Sequence, residues 1–340
     1  MKIGILTGGG DCPGLNPVIR AAVKTAVREG YHMVGIRDGW KGLVDNEVFP
    51  LNGASVSGII HRGGTILGTS RTNPYKDPAA AEKLKGNFKK MGLDALIVIG
   101  GEDTLGVANK FYKDGFKVVG VPKTIDNDLS GTDFTFGFDT AVNIAMEAID
   151  RLHSTAESHR RIMVVEVMGR HAGWIAVHSG IAGGADLILI PEVPIRMQEV
   201  CDVIKHRIDR GKYFSIIVVA EGAKFEGNEV LAEKKLDEFG HVRLGGIGEL
   251  LARRIEDAMK LETRVVVLGH IQRAGAATAY DRVLGTRFGE KAVQLVKKGD
   301  FGNMVALQGN NIVSIPIEVA VSKLKTVDPA YYDMARTFFG

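Results

Sequence analysis

Short aliphatic runs alternate along this chain with longer stretches whose apolar residues recur at three- and four-residue spacing. The short runs predict strands near 2–6, 32–36, 94–99, 117–121, 162–167, 186–190, 214–220 and 264–268. The longer ones predict helices over 15–29, 79–91, 104–113, 139–159, 170–182, 197–209, 245–259 and 279–297. This alternation spells an α/β protein with largely parallel sheets, whose strands are buried on both faces and whose ligands gather at strand carboxyl ends. With 340 residues, 45% of them apolar, the chain can bury a large core, and its length favours two lobes over one. No proline- or serine-rich linker separates the halves, so short crossings join the lobes and the cleft lies between them. Lys224–Arg243, with its alternating charges, reads as a solvated excursion.

Composition narrows the function. A net charge of +3 and a pI near 8.7 are too mild to make nucleic acid the default partner. The longest apolar runs are strand-length, which argues against a membrane span. Cys12 and Cys201 are the two cysteines, and the amino terminus lacks the order of a secretory signal, so a reducing cytoplasm is expected. The 43 glycines sit at strand ends and turns and mark bends.

Three of those bends carry chemistry. The strand ending at Val121 enters Pro122-Lys123-Thr124-Ile125-Asp126-Asn127-Asp128, a cation, a hydroxyl and two carboxylates in one turn. Taken alone, the segment reads either as a phosphoryl-transfer site or as a polar turn capping the next element. Strand 2–6 runs into Thr7-Gly8-Gly9-Gly10-Asp11-Cys12-Pro13-Gly14 before a helix, either a phosphate cradle or a tight turn. It is neither a dinucleotide-binding nor a Walker pattern. Cys12 has no paired base and is read as a small packed residue. After strand 94–99 comes Gly100-Gly101-Glu102-Asp103-Thr104-Leu105-Gly106. Here Glu102 would meet Mg²⁺ while Thr104 and backbone amides hold phosphate oxygens; a helix start favouring acids is the equal alternative. Arg71 follows the glycine loop 63–68, and Arg161, Arg170, Arg264, His270 and Arg273 stand near strand ends, where a shared anion pocket is expected. His153, His159 and His171 lack metal-ligand spacing and read as polar helix residues.

Thr7–Asp11, Gly63–Arg71, Pro122–Asp128, Met168-Gly169-Arg170 and Leu268–Arg273 occur in the order found in the 6-phosphofructokinases, and the chain resembles that family over essentially its whole length. The resemblance implies two Rossmann-like α/β lobes: residues 1–137 with 271–321 as the larger, donor-binding lobe, and 138–270 with 322–340 as the smaller, sugar-phosphate lobe. It implies Mg²⁺-dependent phosphorylation of the C1 hydroxyl of fructose 6-phosphate. Asp126 would be the base, with Thr124 and Asp128 orienting or balancing charge beside it. Gly10 and Arg71 would hold the phosphoryl donor, and Glu102 would meet the metal. Arg161, Met168, Gly169, Arg170, Glu221, Arg264, His270 and Arg273 would bind the sugar phosphate. Arg161 and Arg264 would reach across from a neighbouring subunit, which implies a homodimer or homotetramer.

Two positions bear on the donor. ATP-using members of the family usually read Gly-Gly-Asp-Gly-Ser and Pro-Gly-Thr-Ile-Asp-Asn-Asp, whereas this chain has Asp103 and Lys123 at the variable glycines and Glu102 at the aspartate. A carboxylate at Asp103 crowds and repels a nucleotide α-phosphate, and Lys123 neutralises a compact diphosphate. Pyrophosphate is therefore the expected donor, with a reaction that runs both ways. His153 stands where bacterial ATP-using relatives have an arginine, so little response to ADP or phosphoenolpyruvate is expected.

Overall fold

The first half of the chain lays down β1 (Lys2–Thr7), α1 (Leu15–Arg28), β2 (His32–Ile36), α2 (Trp40–Asp45), β3 (Val48–Leu51), α3 (Pro78–Lys90), β4 (Ala95–Gly100), α4 (Glu102–Lys113), β5 (Val118–Pro122) and α5 (Phe138–His159). There follow β6 (Ile162–Val167), α6 (Trp174–Ala182), β7 (Leu187–Leu189), α7 (Met197–Asp209), β8 (Ser215–Ala220), α8 (Ile247–Met259) and β9 (Thr263–Val267). The chain ends with α9 (Ala279–Lys298), β10 (Asn303–Gln308), β11 (Asn311–Pro316), α10 (Ile317–Ser322) and α11 (Pro329–Arg336). The computed structural model describes residues 1–227 and 245–340, so most of the Lys224–Arg243 segment lies outside the described residues.

Two sheets form. One has seven strands in the order β11-β10-β5-β4-β1-β2-β3, parallel except for its antiparallel edge strands β3 and β11. The other has four parallel strands in the order β7-β8-β6-β9. The period-two alternation of side chains explains why the central strands are aliphatic throughout. Ile3, Ile5, Ile97, Ile99, Val119 and Val121 face a core shared with α1 and α9, while Leu6, Leu96, Val98 and Val118 face another against α4. In the small sheet Met163, Val165 and Val167 join the first core, and Ile162 and Val164 face a third with α7 and α8. Each fully buried aliphatic side chain contributes about 1.5–3 kcal/mol. Among the described residues no helix is long and apolar enough to cross a membrane.

The eight expected strands are present. The pattern gave no expectation for α2, β3, β10, β11, α10 or α11. All but β10 are short or lie at the margins, and β3 and β11 are edge strands with mostly half-exposed or exposed residues, so they carry little hydrophobic signal, whereas β10 has four buried residues and was simply missed. The helix expected over 170–182 starts at Trp174, because Gly169 and Arg170 take positive φ values of 140° and 52° in a turn that no helix continues. His171 is therefore a turn residue.

Candidate active site

The carboxyl ends of β1, β4 and β5 lie side by side, as their register pairs Thr7 with Ile99 and Gly100 with Pro122. Their following loops converge for that reason. The Gly8 amide donates to Ile99 O at 2.9 Å, and the Lys123 amide to Gly100 O at 2.9 Å. The 63–71 loop docks on the first loop. Gly9 N donates to Ser70 O at 2.9 Å, Thr7 Oγ1 donates to Gly68 O at 2.7 Å, and Asn16 Nδ2 donates to Arg62 O at 3.0 Å. Thr104, buried in the first turn of α4, is wedged between two glycines: a Cβ would fall 2.7 Å from its Cγ2 at Gly8 and 2.3 Å from its Cβ at Gly100.

In the turn after β5, Asn127 is left-handed at φ 52°, a conformation asparagine tolerates better than most residues. Its Oδ1 accepts from Thr135 N at 3.1 Å, which fixes the turn. Asp126 N donates to Thr124 Oγ1 at 3.0 Å, and Thr135 Oγ1 to Thr124 O at 2.7 Å. The Asp126 carboxylate is buried, and its Oδ1 has no hydrogen-bond partner among the described residues. Such an atom is costly unless something occupies the space before it.

The small sheet closes the cleft. After β6, Arg170 N donates to Glu221 Oε1, which follows β8, at 3.2 Å. Arg273 ends the turn after β9 and lies so close to the first loop that a Cβ on Gly10 would sit 2.3 Å from its Nη1. Lys123 is buried and donates from Nζ to Gly10 O. One cleft is thus lined by Gly10, Arg71, Glu102, Asp103, Thr104, Lys123, Thr124, Asp126, Asp128, Arg170 and Arg273.

Its electrostatics are crowded. Burial, then Asp126 and Glu102, push the Asp128 carboxyl up to about 7. Glu221 is likewise raised to about 7, by burial first and by Asp126 next. Burial lowers Lys123. Cys12, walled in behind the loop, is raised by burial, and its Sγ approaches Phe136 O at 3.7 Å, as suits a packed residue. No group of three His, Cys, Asp or Glu among the described residues forms a ready-made metal cage. The oxygen-only donors Glu102, Asp126 and Asp128 suit a hard cation that keeps waters and shares phosphate oxygens.

Arg161 and Arg264 do not join this pocket within the protomer: they stand at the amino ends of β6 and β9, the opposite edge of the small sheet from Met168–Arg170, Glu221 and Arg273. There they share Glu262, with Arg161 Nε 2.7 Å from its Oε2. His270 is exposed on the turn, Met168 is buried, and neither lines the cleft. Gly9, Asp11, Cys12, Gly101 and Ile125 do line it without having been singled out as site residues. Their place inside the same three loops was the available signal.

These features define a two-lobed, parallel α/β protein with an anion-handling cleft. The family model for phosphofructokinase matches residues 2–296. The chain is 58% identical over 343 residues, covering 100% of both sequences, to a pyrophosphate--fructose 6-phosphate 1-phosphotransferase of Streptomyces coelicolor. It is 52% identical over 343 residues, again covering 100% of both, to an ATP-dependent 6-phosphofructokinase of Mycobacterium leprae. A solved phosphofructokinase from Saccharomyces cerevisiae superposes with a TM-score of 0.82 at 31% identity, covering 99% of this chain and 46% of the yeast chain. The chain belongs to the phosphofructokinase family.

Proposed function

We propose that this protein transfers a phosphoryl group from pyrophosphate to the C1 hydroxyl of fructose 6-phosphate, reversibly and with Mg²⁺, giving fructose 1,6-bisphosphate and orthophosphate. The observation that carries the choice of donor is Lys123, whose buried ammonium is seated on the Gly10 carbonyl between the two glycine loops, with Asp103 in the first turn of α4 beside it. A fixed cation there suits a compact diphosphate, and a carboxylate at the mouth opposes a nucleotide α-phosphate. The 58% identity to the Streptomyces enzyme supports the same reading.

In this reading Gly10, Arg71, Thr104 and Lys123 hold the donor. Asp126 takes the C1 hydroxyl proton as the new O–P bond forms and the bridging P–O bond of pyrophosphate breaks; Thr124 orients it and Asp128 balances charge. Transfer of this kind is mostly positioning and charge stabilisation, so an ordinary carboxylate suffices as base. The unpartnered Asp126 Oδ1 suits a hydroxyl donor arriving in front of it. Glu102 would hold Mg²⁺, directly or through water, and the ion would neutralise charge on the phosphate oxygens. Arg170 and Arg273, which line the cleft, hold the sugar phosphate, and Glu221, Met168, Gly169 and His270 flank them on the segments that follow β8, β6 and β9. Arg161 and Arg264 hold it for a neighbouring subunit, making the working form a homodimer or homotetramer. The lobes divide as 1–137 with 271–321 for the donor and 138–270 with 322–340 for the sugar. His153, whose ring nitrogen lies 2.7 Å from Gly183 O, is engaged with the backbone of its own protomer.

The relative named as ATP-dependent, at 52% identity, favours ATP as the second reading. Initial rates with pyrophosphate and with MgATP at saturating fructose 6-phosphate decide between them. Turnover with ATP alone would overturn the proposal.

A further inference from the structure

Residues 323–327, between α10 and α11, bond both to the loop that follows Asp126 and to the turn that follows Arg170. On one side, Leu324 bridges Leu129, Ser130 Oγ donates to Lys323 O at 2.7 Å, and Lys325 N donates to Asp128 O at 2.9 Å. Lys325 Nζ donates to Thr132 O at 2.9 Å and Asp133 O at 2.6 Å, so this one ammonium gathers the loop that leaves Asp126-Asn127-Asp128. On the other side, Trp174 Nε1 donates to Lys325 O at 2.9 Å, and Lys325 Nζ lies 5.3 Å from the centre of the Trp174 ring, within cation–π range. Two residues further, Glu192 Oε1 accepts both Val327 N at 2.9 Å and Gly173 N at 3.0 Å. Gly173 and Trp174 end the turn that begins at Met168-Gly169-Arg170. Lys325 is half-buried, and burial lowers its ammonium to about 8, with Asp133 and Asp128 opposing that shift.

We propose that this segment is a strap that sets the spacing between the Asp126–Asp128 turn and the Met168–Arg170 turn, with Lys325 and Glu192 as positioning residues for the sugar phosphate. Neither side chain lines the cleft, and neither is given a part in the chemistry. The inference rests on the reading of Met168–Arg170 as a sugar-phosphate site. The coupling of the two turns does not depend on that reading. A misplacement of about 1 Å between a reacting hydroxyl and its base costs up to about 100-fold, so a fixed link between these turns has consequences for rate. Among the described residues the strap makes no hydrogen bond to the donor loops at 8–11 and 100–104, so the effect falls more on the sugar phosphate than on the donor.

The test compares purified full-length Lys325→Met, Lys325→Arg, Glu192→Ala and Glu192→Gln with the parent chain, by amide hydrogen exchange without substrate and by steady-state kinetics. In Lys325→Met and Glu192→Ala, exchange is expected to quicken about tenfold in both 128–133 and 168–174 and to stay unchanged in 8–14. KM for fructose 6-phosphate is expected to rise about tenfold while KM for pyrophosphate stays within about twofold. Lys325→Arg and Glu192→Gln, which keep the donor or the acceptor, should recover most of both effects. Exchange that quickens in one turn alone, or in neither, overturns the strap, as does an equal rise of both KM values. If Lys325→Met does not fold, Glu192→Ala decides by the same criteria. A parent chain without sugar-phosphate turnover would overturn the proposed function instead, and the exchange measurement would still decide the coupling.

Discussion

Lys123 Nζ donates to the carbonyl of Gly10, so the cation after β5 is buried against the glycine loop after β1. The bond ties two loops that are 113 residues apart in sequence and fixes the position of a charge that a diphosphate would meet.

Replacing Lys123 and Asp103 together by glycine removes the buried cation and the opposing carboxylate. The ratio of kcat/KM for pyrophosphate to that for ATP should fall by about 100-fold or more, the equivalent of losing one or two charged contacts. Initial rates with each donor measure it. An unchanged ratio would place donor selection elsewhere.

Asp126→Asn keeps the shape of the turn and removes the base. Turnover should drop by about 10²–10⁴, with fructose 6-phosphate binding within a few-fold of the parent. Calorimetric titration of the sugar phosphate beside the rate assay separates the two effects. Near-normal turnover would remove Asp126 from its role.

Gly10→Ala would drive a Cβ to 2.3 Å from Arg273 Nη1. Because Arg273 belongs to the sugar side and Gly10 to the donor side, both KM values should rise, by about tenfold, with little change in Tm. A rise confined to one substrate would show that Arg273 relaxes away freely.

The raised Asp128 carboxyl gives a pH signature. Its folded value of about 7 lies above the ordinary 3.8, so the folded state holds this proton more tightly than the unfolded chain. The stability it contributes is fully present below the ordinary value and is lost as pH rises through about 7, with a slope of up to about 1.4 kcal/mol per pH unit. Asp128→Asn should flatten the fall in stability between pH 4 and pH 7 seen in chemical denaturation without ligands. An identical slope in parent and variant would contradict this assignment.

Arg161 and Arg264 on the opposite sheet edge predict complementation. Arg161→Ala and Asp126→Asn, each poorly active, should recover roughly a quarter of parental activity after 1:1 mixing and reassembly, if the unit is a two-fold dimer with sites built from both chains. Mixtures no more active than their parts would place Arg161 outside the partner's site.

The sequence showed the centre of each sheet better than its margins. Strands such as Ala95–Gly100 are buried on every residue and stand out as unbroken aliphatic runs, so the α/β order was readable from them. Asn311–Pro316 lies at an edge with no fully buried residue and left almost no hydrophobic trace. In the site, the loops at Gly10, Glu102 and Asp126 were readable because glycine and charge follow directly on a strand. Arg161 precedes its strand and Arg170 follows the same one, and that order alone sets them about 20 Å apart, at opposite edges of the small sheet. Glu192 and Lys325 were invisible: each acts through backbone groups of distant segments, and nothing in their neighbouring sequence marks such partners.

The seven-stranded sheet takes its first five strands from residues before 123 and its last two from residues after 302, with the whole small sheet made in between. On the ribosome, β5 therefore waits as an open margin through the synthesis of some 180 residues before β10 can pair with it. Aggregation during expression should trace to that interval, when a strand buried at every residue in the finished fold has a bare side, and a chaperone that shields nascent chains should relieve it.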